Sequence, residues 1–370
     1  MGGGRGGFQT RPYLRPYSPR PYKIDCGNSG TTLRLLTGIL SSLNIPATLS
    51  GDASLRKRPM KRVIEPLRKM GAPISARQDN FAPICMGCRG GFQTRPYLLR
   101  GITWRMNVAS AQVKSAILLA GLAAEGDTTV IEPSKSRDHT ERMLKGMGVR
   151  IQVAGNRVTI PGGQVLRPFK FTVPGDFSSA AFLLAAATIV PGSKVLIRGV
   201  NLNPTRTGLL SVLKRMGAKI RTLNIQLKNF EPVGDLEVGY SNLKGTSVSG
   251  HEIPLLIDEI PILAVLATQA RGKTIVSQAG ELRVKESDRI SAIVSQLKRL
   301  GACVQEKKAG FIIEGPSVLR GASCDSFGDH RMAMALAVAG LITKGKISIK
   351  DFDCTRVSYP NFLKDLKSLL

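Results

Sequence analysis

Two kinds of apolar segment alternate along the chain. The first is apolar at almost every position and rich in Ala, Gly and Ser: NSGTTLRLLTGILSSLN from Asn28, SAQVKSAILLAGLAAEG from Ser110, DFSSAAFLLAAATIVPG from Asp176, DEIPILAVLATQARG from Asp258 and DHRMAMALAVAGLITKG from Asp329. A segment without a polar face predicts a helix buried on every side, and small side chains let such helices pack closely. Each opens with Ser, Asp or Asn in a capping position. The second kind predicts a surface helix and ends the same way each time: LRKMGAPI at Leu67, LKGMGVRI at Leu144, LKRMGAKI at Leu213 and LKRLGACV at Leu297. Gly71, Gly148, Gly217 and Gly301 fit the glycine that stops a helix, with Lys or Arg in the last turn against the dipole. Short β-rich runs such as TTVIE, KVLIRG, KTIVS and KISIK follow.

Together these read as strand, buried helix, strand, surface helix and two strands, a βαβαββ unit of roughly 70 to 80 residues. Five units fill the chain. The fold class is therefore α/β (α+β), and the symmetric arrangement is two domains of three units each. Three buried helices follow the Pro-rich link RPFKFTVPGD, which predicts a C-terminal domain over 173–370 with three units. The N-terminal domain, 25–172, shows two, so the expectation is a first domain lacking one unit before Asp25.

Residues 1–24 are rich in Gly, Pro and Arg and have no helix or strand period, which predicts a disordered segment. The piece RGGFQTRPYL, Arg5 to Leu14, returns unchanged at Arg89 to Leu98. Its arginines and aromatic rings are the composition of a single-strand nucleic-acid binder, but an inserted stretch with no fold accounts for them better.

Charge changes the picture more than composition does. The 370 residues carry 53 Lys+Arg against 26 Asp+Glu, a net charge of +27, and such a field draws in anions. The six cysteines are spread out, which argues for thiols in a reducing, cytoplasmic setting. No apolar run reaches the roughly 18 residues a membrane span needs.

The candidate chemistry gathers at the helix starts. A helix N-terminus offers unpaired N–H groups and about half a positive charge, so several converging on a cleft would hold a polyanion. Asn28, Gly30, Thr31 and Arg34 stand at one start; Ser110, Gln112 and Lys114 at another; Asp258 at a third; Asp329, His330 and Arg331 at a fourth. ELRVKESDRI adds Lys285 and Arg289, four apart and expected on one helix face, with Glu286 beside them.

The ordered motifs DCGNSGTTLR, RKRP, VASAQVKSA, SRDHTE, VPGDFSSAAFLLAAA, IDEIP, RVKESDR and DHRMAMALA resemble those of the 5-enolpyruvylshikimate-3-phosphate synthase family from about Asp25 to the C-terminus. The resemblance implies a two-domain enolpyruvyl transferase-like fold. It also implies transfer of the enolpyruvyl group of phosphoenolpyruvate to the 5-hydroxyl of shikimate 3-phosphate, a step of aromatic amino acid biosynthesis, with no metal or organic cofactor. By the same resemblance Asp258 is the general base, Glu286 the proton donor, and Lys285 lies beside both substrates. Asn28, Gly30, Thr31, Arg58, Gln112, Arg289, His330 and Arg331 would line the phosphoenolpyruvate site. Ser110, Gln112, Arg137, Asp258 and Lys285 would meet shikimate 3-phosphate. A monomer without nucleic-acid or membrane partners is implied as well.

Three departures stand out. Nothing in residues 1–24 resembles the family's Asp-Lys-Ser segment, and the second RGGFQTRPYL interrupts the approach to LRGITWRMNVASAQ, so strongly reduced turnover is expected; Val357 also replaces a lysine in CTRVSYP, which members with SAQVK and DEIP often lack. The rival readings are a transferase acting on UDP-N-acetylglucosamine, which the order of SRDHTE and RVKESDR disfavours, and an inactive remnant whose basic surface binds nucleic acid.

Overall fold

The structure, a computed structural model, describes residues 21–87 and 97–369. The first unit runs through β1 (Tyr22–Asp25), α1 (Gly30–Ser42), β2 (Ala47–Ser50), α2 (Lys61–Lys69), β3 (Ile74–Arg77) and β4 (Phe81–Met86). Its sheet has the order β1-β2-β4-β3, with β1 parallel to β2 and the other pairs antiparallel. The second unit repeats this with β5 (Thr103–Arg105), α3 (Ala111–Gly121), β6 (Asp127–Ile131), α4 (His139–Gly146), β7 (Gln152–Ala154) and β8 (Arg157–Pro161), in the order β5-β6-β8-β7.

The third unit comprises α5 (Phe177–Ile189), β9 (Lys194–Asn201), α6 (Gly208–Arg215), β10 (Lys219–Lys228) and β11 (Glu231–Gly239), in the order β10-β11-β9. The fourth comprises β12 (Ser247–Val248), α7 (Ile253–Leu256), α8 (Ile260–Ala267), β13 (Gly272–Val276), α9 (Arg289–Arg299), β14 (Cys303–Lys307) and β15 (Gly310–Gly315), in the order β12-β13-β15-β14. Last come β16 (Ser323–Asp325), α10 (His330–Gly340), β17 (Ser348–Lys350) and α11 (Phe362–Lys367), with β16 parallel to β17.

Three complete units in 173–370 were expected, and the structure corrects this at two places. Among the described residues the third unit has no first strand, only a parallel bridge between Gly175 and Val200, because Pro174 offers no N–H to a ladder. The fifth has no closing pair of strands among the described residues. There Phe362 and Leu366 are spaced as in a helix, and Phe362 packs edge-on to Phe182 at 5.9 Å. A third correction concerns the disordered segment expected over 1–24. Residues 1–20 lie outside the described residues, as do 89–96 of the second RGGFQTRPYL copy, but Tyr22, Lys23 and Ile24 are in β1, paired with Ala47, Thr48 and Leu49. Ile24 packs on the core and thereby anchors a stretch whose composition reads as unstructured.

The helix stops follow the sequence closely. Gly71, Gly148, Gly217 and Gly301 have φ of +103°, +82°, +88° and +89°. In each case the next N–H, of Ala72, Val149, Ala218 or Ala302, bonds the carbonyl five residues back at 2.9–3.0 Å, which closes the last turn. The starts are capped by Ser29, Ser110, Asp176, Asp288 and Asp329.

The buried apolar side chains form two clusters, one drawn from Cys26 to Ile160 and the other from Phe177 to Leu366. In the first, α1 crosses α3 so closely that a Cβ on Gly38 would lie 2.3 Å from the carbonyl oxygen of Ala116. Lys69 at the end of α2 lies over the ring of Trp104 in the next unit, 5.1 Å from its centre. In the second, α5, α8 and α10 pack on one another. Among the described residues no helix is long and apolar enough to cross a membrane.

The Gly38 contact is with backbone and cannot relax by a rotamer change. Gly38→Ala is expected to destabilise the protein by about 1–3 kcal/mol despite its better helix propensity, read as a lower urea midpoint. Gly217→Ala, whose added Cβ meets only the Asn242 carbonyl at 3.9 Å, carries only the left-handed backbone cost of about 1–2 kcal/mol.

Candidate active site

Four helices of the second half bring their N-termini to one point. Arg289, the first residue of α9, is buried and bonds Asp329, the cap of α10, from Nε at 2.8 Å. Arg331, in the first turn of α10, donates to the backbone carbonyl of Asp258 at 3.3 Å. Ser178, in the first turn of α5, donates to Glu259, the residue before α8. Arg206, from the turn before α6, reaches Asp176 at 3.1 Å and Asp258 at 3.4 Å, and also bonds Ser178.

Asp258 is the hub. Its carboxylate receives Arg137 from the first half, Arg206 and Arg289 at 3.4 Å each, Lys285 at 3.8 Å and Arg331 at 3.9 Å. Burial alone would raise its pKa, but Arg137, Arg331, Lys285 and Arg206 outweigh it and hold the group well below the usual carboxylate range. The expected capping role of Asp258 is corrected: α8 begins at Ile260 with no side-chain cap, because this carboxylate is committed to cations.

Lys285 and Arg289 also depart from expectation. Lys285 is extended and α9 starts only at Arg289, so the two do not share a helix face. They meet instead on Asp258. Burial lowers the Lys285 pKa, Asp258 opposes this, and Arg289 and Arg137 add to it. Glu286 bonds Arg289 at 2.7 Å and lies 3.4 Å from Arg58. Burial pushes its pKa up, but Arg289 and Arg58 more than offset both that and the neighbouring Asp329. Burial and Arg331 lower the pKa of His330.

The first half supplies a matching convergence. Gln112, in the first turn of α3, donates to Thr31 in α1 at 2.6 Å and accepts from Arg34. Asn28 accepts from Arg58 and donates to Asp52, both at 2.7 Å, while Ser29 caps α1 in its place. Gly30 leaves room for both guanidinium groups: a Cβ there would stand 3.0 Å from Arg34 Nη1 and 3.4 Å from Arg58 Nη1. Burial, with the charges of Arg58 and Arg62, pushes Arg34 down to about 10. Ser110 accepts from the N–H of Val113 as the cap of α3 and makes no direct bond to the ionic network.

One guanidinium, Arg289, therefore separates two carboxylates, Asp258 and Glu286, with Arg58, Arg331 and Lys285 around them. Such an arrangement can hold phosphate or carboxylate between cations and move protons on either side.

Comparison with known proteins shows the family. The profile of the family described as EPSP synthase (3-phosphoshikimate 1-carboxyvinyltransferase) matches residues 8–366. The chain belongs to the EPSP synthase family. A relative named 3-phosphoshikimate 1-carboxyvinyltransferase from Thermodesulfovibrio yellowstonii is 54% identical over 349 residues, 94% of this chain and 79% of the relative. Another of that name from Thermotoga sp. (strain RQ2) is 49% identical over 97% of this chain and 82% of its own length. The solved EPSP synthase of Acinetobacter baumannii superposes with a TM-score of 0.81 at 41% identity, covering 94% of this chain and 79% of that one. The enolpyruvyl transferase NikO of Streptomyces tendae, at 18% identity and TM-score 0.68, shares the fold. These matches favour the transferase reading over the nucleic-acid-binding remnant.

Two buried groups at this site, Arg206 and Glu259, carry no mark in the local sequence. Arg206 sits in NPTRTG, a turn with no charge pattern around it. Glu259 is hidden beside Asp258 and has an unbonded Oε2. Lys114, one of the helix-start residues, is buried between Glu132 at 2.9 Å and Glu141 at 2.6 Å.

The Asp329 carboxyl is held at about 2, where burial raises it and the charge and hydrogen bonds of Arg289 win. Because its folded pKa is depressed from near 3.9, its contribution is full above pH 4 and is lost as pH falls toward 2. The stability gap between the native protein and Asp329→Asn, read from urea midpoints, is expected to shrink across that interval by roughly 2 kcal/mol.

Proposed function

We propose that the chain is a 3-phosphoshikimate 1-carboxyvinyltransferase that moves enolpyruvyl from phosphoenolpyruvate to the 5-hydroxyl of shikimate 3-phosphate and releases phosphate. The observation that carries this reading is Asp258 ringed by cations and joined to Glu286 through Arg289. In the addition step the Asp258 carboxylate takes the 5-hydroxyl proton while that oxygen bonds the enol carbon, and Glu286 gives a proton to the methylene carbon. In the elimination step Glu286 takes a proton back from the new methyl group, the double bond re-forms and phosphate departs with the proton held by Asp258.

The resting ion pairs suit this sequence. Phosphate arriving at Arg58 and Arg289 competes with Glu286 for both, which raises the proton affinity of Glu286 as an acid requires. Shikimate 3-phosphate drawing on Arg137 and Lys285 likewise frees Asp258 to act as base. Asn28, Gly30, Thr31, Gln112, His330 and Arg331 complete the phosphoenolpyruvate side, and Ser110 and Gln112 the shikimate 3-phosphate side. The reading includes domains of 25–172 and 173–370 with the two apolar clusters as their cores, a monomer, a cytoplasmic setting and no nucleic-acid partner.

Phosphate release is expected only with both substrates present, and Asp258→Asn is expected to lower kcat by about 10²- to 10⁴-fold. Phosphate release with either substrate alone would overturn the assignment. Gly30→Ala, whose methyl presses on Arg34 and Arg58, is expected to raise KM for phosphoenolpyruvate well above any change in KM for shikimate 3-phosphate.

A further inference from the structure

Two ion pairs run side by side from the first half to the second. The inner pair is Arg58–Glu286 at 3.4 Å. The outer pair is Arg62–Glu281, joined by two N–H···O bonds, Nη1 to Oε2 at 2.7 Å and Nη2 to Oε1 at 3.0 Å. Arg62 is in the first turn of α2, four residues after Arg58. Glu281 is in the short turn Gly280–Val284, directly before Lys285 and Glu286. The outer pair therefore ties together the two segments that carry the inner one.

The two pairs differ in what a ligand does to them. Glu286 and a bound anion compete for Arg58, so the inner pair loosens whenever phosphate occupies that guanidinium. Arg62 and Glu281 bond none of the groups assigned to the substrates, and the fork geometry fixes orientation as well as distance. We propose that Arg62 and Glu281 form a positioning clasp, which keeps Arg58 aligned with Lys285 and Glu286 while an anion separates Arg58 from Glu286. The geometry of the clasp stands by itself, and its effect on turnover rests on the transferase reading above.

The side chains are 46% and 35% exposed, so they can be changed without opening a core. An exposed pair adds little to global stability and is screened by salt. Its signature is kinetic.

Arg62→Glu and Glu281→Arg are each expected to raise KM for phosphoenolpyruvate and lower kcat/KM by roughly fivefold, with the melting temperature unchanged and the loss smaller at high salt. The swapped double variant is expected to recover to within about twofold of native. Hydrogen exchange of the peptide spanning 280–289 is expected to speed up in each single variant and return in the swap, a readout that needs no turnover. Single variants that leave both exchange and KM unchanged, or a swap that rescues neither, would overturn the clasp. Exchange that follows the pair in a protein that turns over no substrate would instead overturn the transferase reading and leave the clasp standing.

Discussion

Helix starts that share one point bring their partial positive charges and unpaired N–H groups together, and this crowding must be neutralised before anything else can be built there. The second half does so with carboxylates placed at or just before the helices: Asp176 before α5, Asp258 and Glu259 before α8, and Asp329 before α10. Arginines from between these elements, Arg206 and Arg289 above all, then stitch the carboxylates to one another. Those buried arginines are affordable only because each meets two or more acids.

The resting site is therefore an ionic lattice in which the protein's own carboxylates occupy cations that a phosphorylated ligand would claim. On the proposed transferase reading, binding is an exchange of partners rather than a docking onto bare charge. On that reading the exchange has a chemical effect as well as an electrostatic one, because the acids released from arginine are the two groups proposed to handle protons. A single device thus links occupancy to proton affinity. Cations from α2's approach, the Arg137 loop and the α9 and α10 starts take part, so both halves must be present for the exchange to occur.

Much of this was legible in local sequence. The glycines of LRKMGAPI, LKGMGVRI, LKRMGAKI and LKRLGACV marked the four helix stops, since only a left-handed residue ends a helix that way. The Ala- and Gly-rich runs marked the buried helices because no polar stripe was left to face water. What stayed illegible was set by tertiary demand. Asp258 carries a capping residue's signature, yet neighbouring arginines take it over. Lys285 has helical spacing from Arg289 but stands before the helix. Arg206 and Arg62 look like ordinary surface charges, and only the meeting of distant segments gives them partners. The short strand YKID escaped notice because its alternation is four residues long and follows an Arg- and Pro-rich stretch.

The contact between Lys69 and Trp104 has a practical consequence. Trp104 is the only tryptophan in the chain, and its indole lies at the seam between the first two units with an ammonium group over its face. Intrinsic fluorescence excited at the indole band therefore reports on that seam alone. Quenching and emission colour provide an optical gauge of how well the two N-terminal modules stay seated, free of any signal from the rest of the molecule.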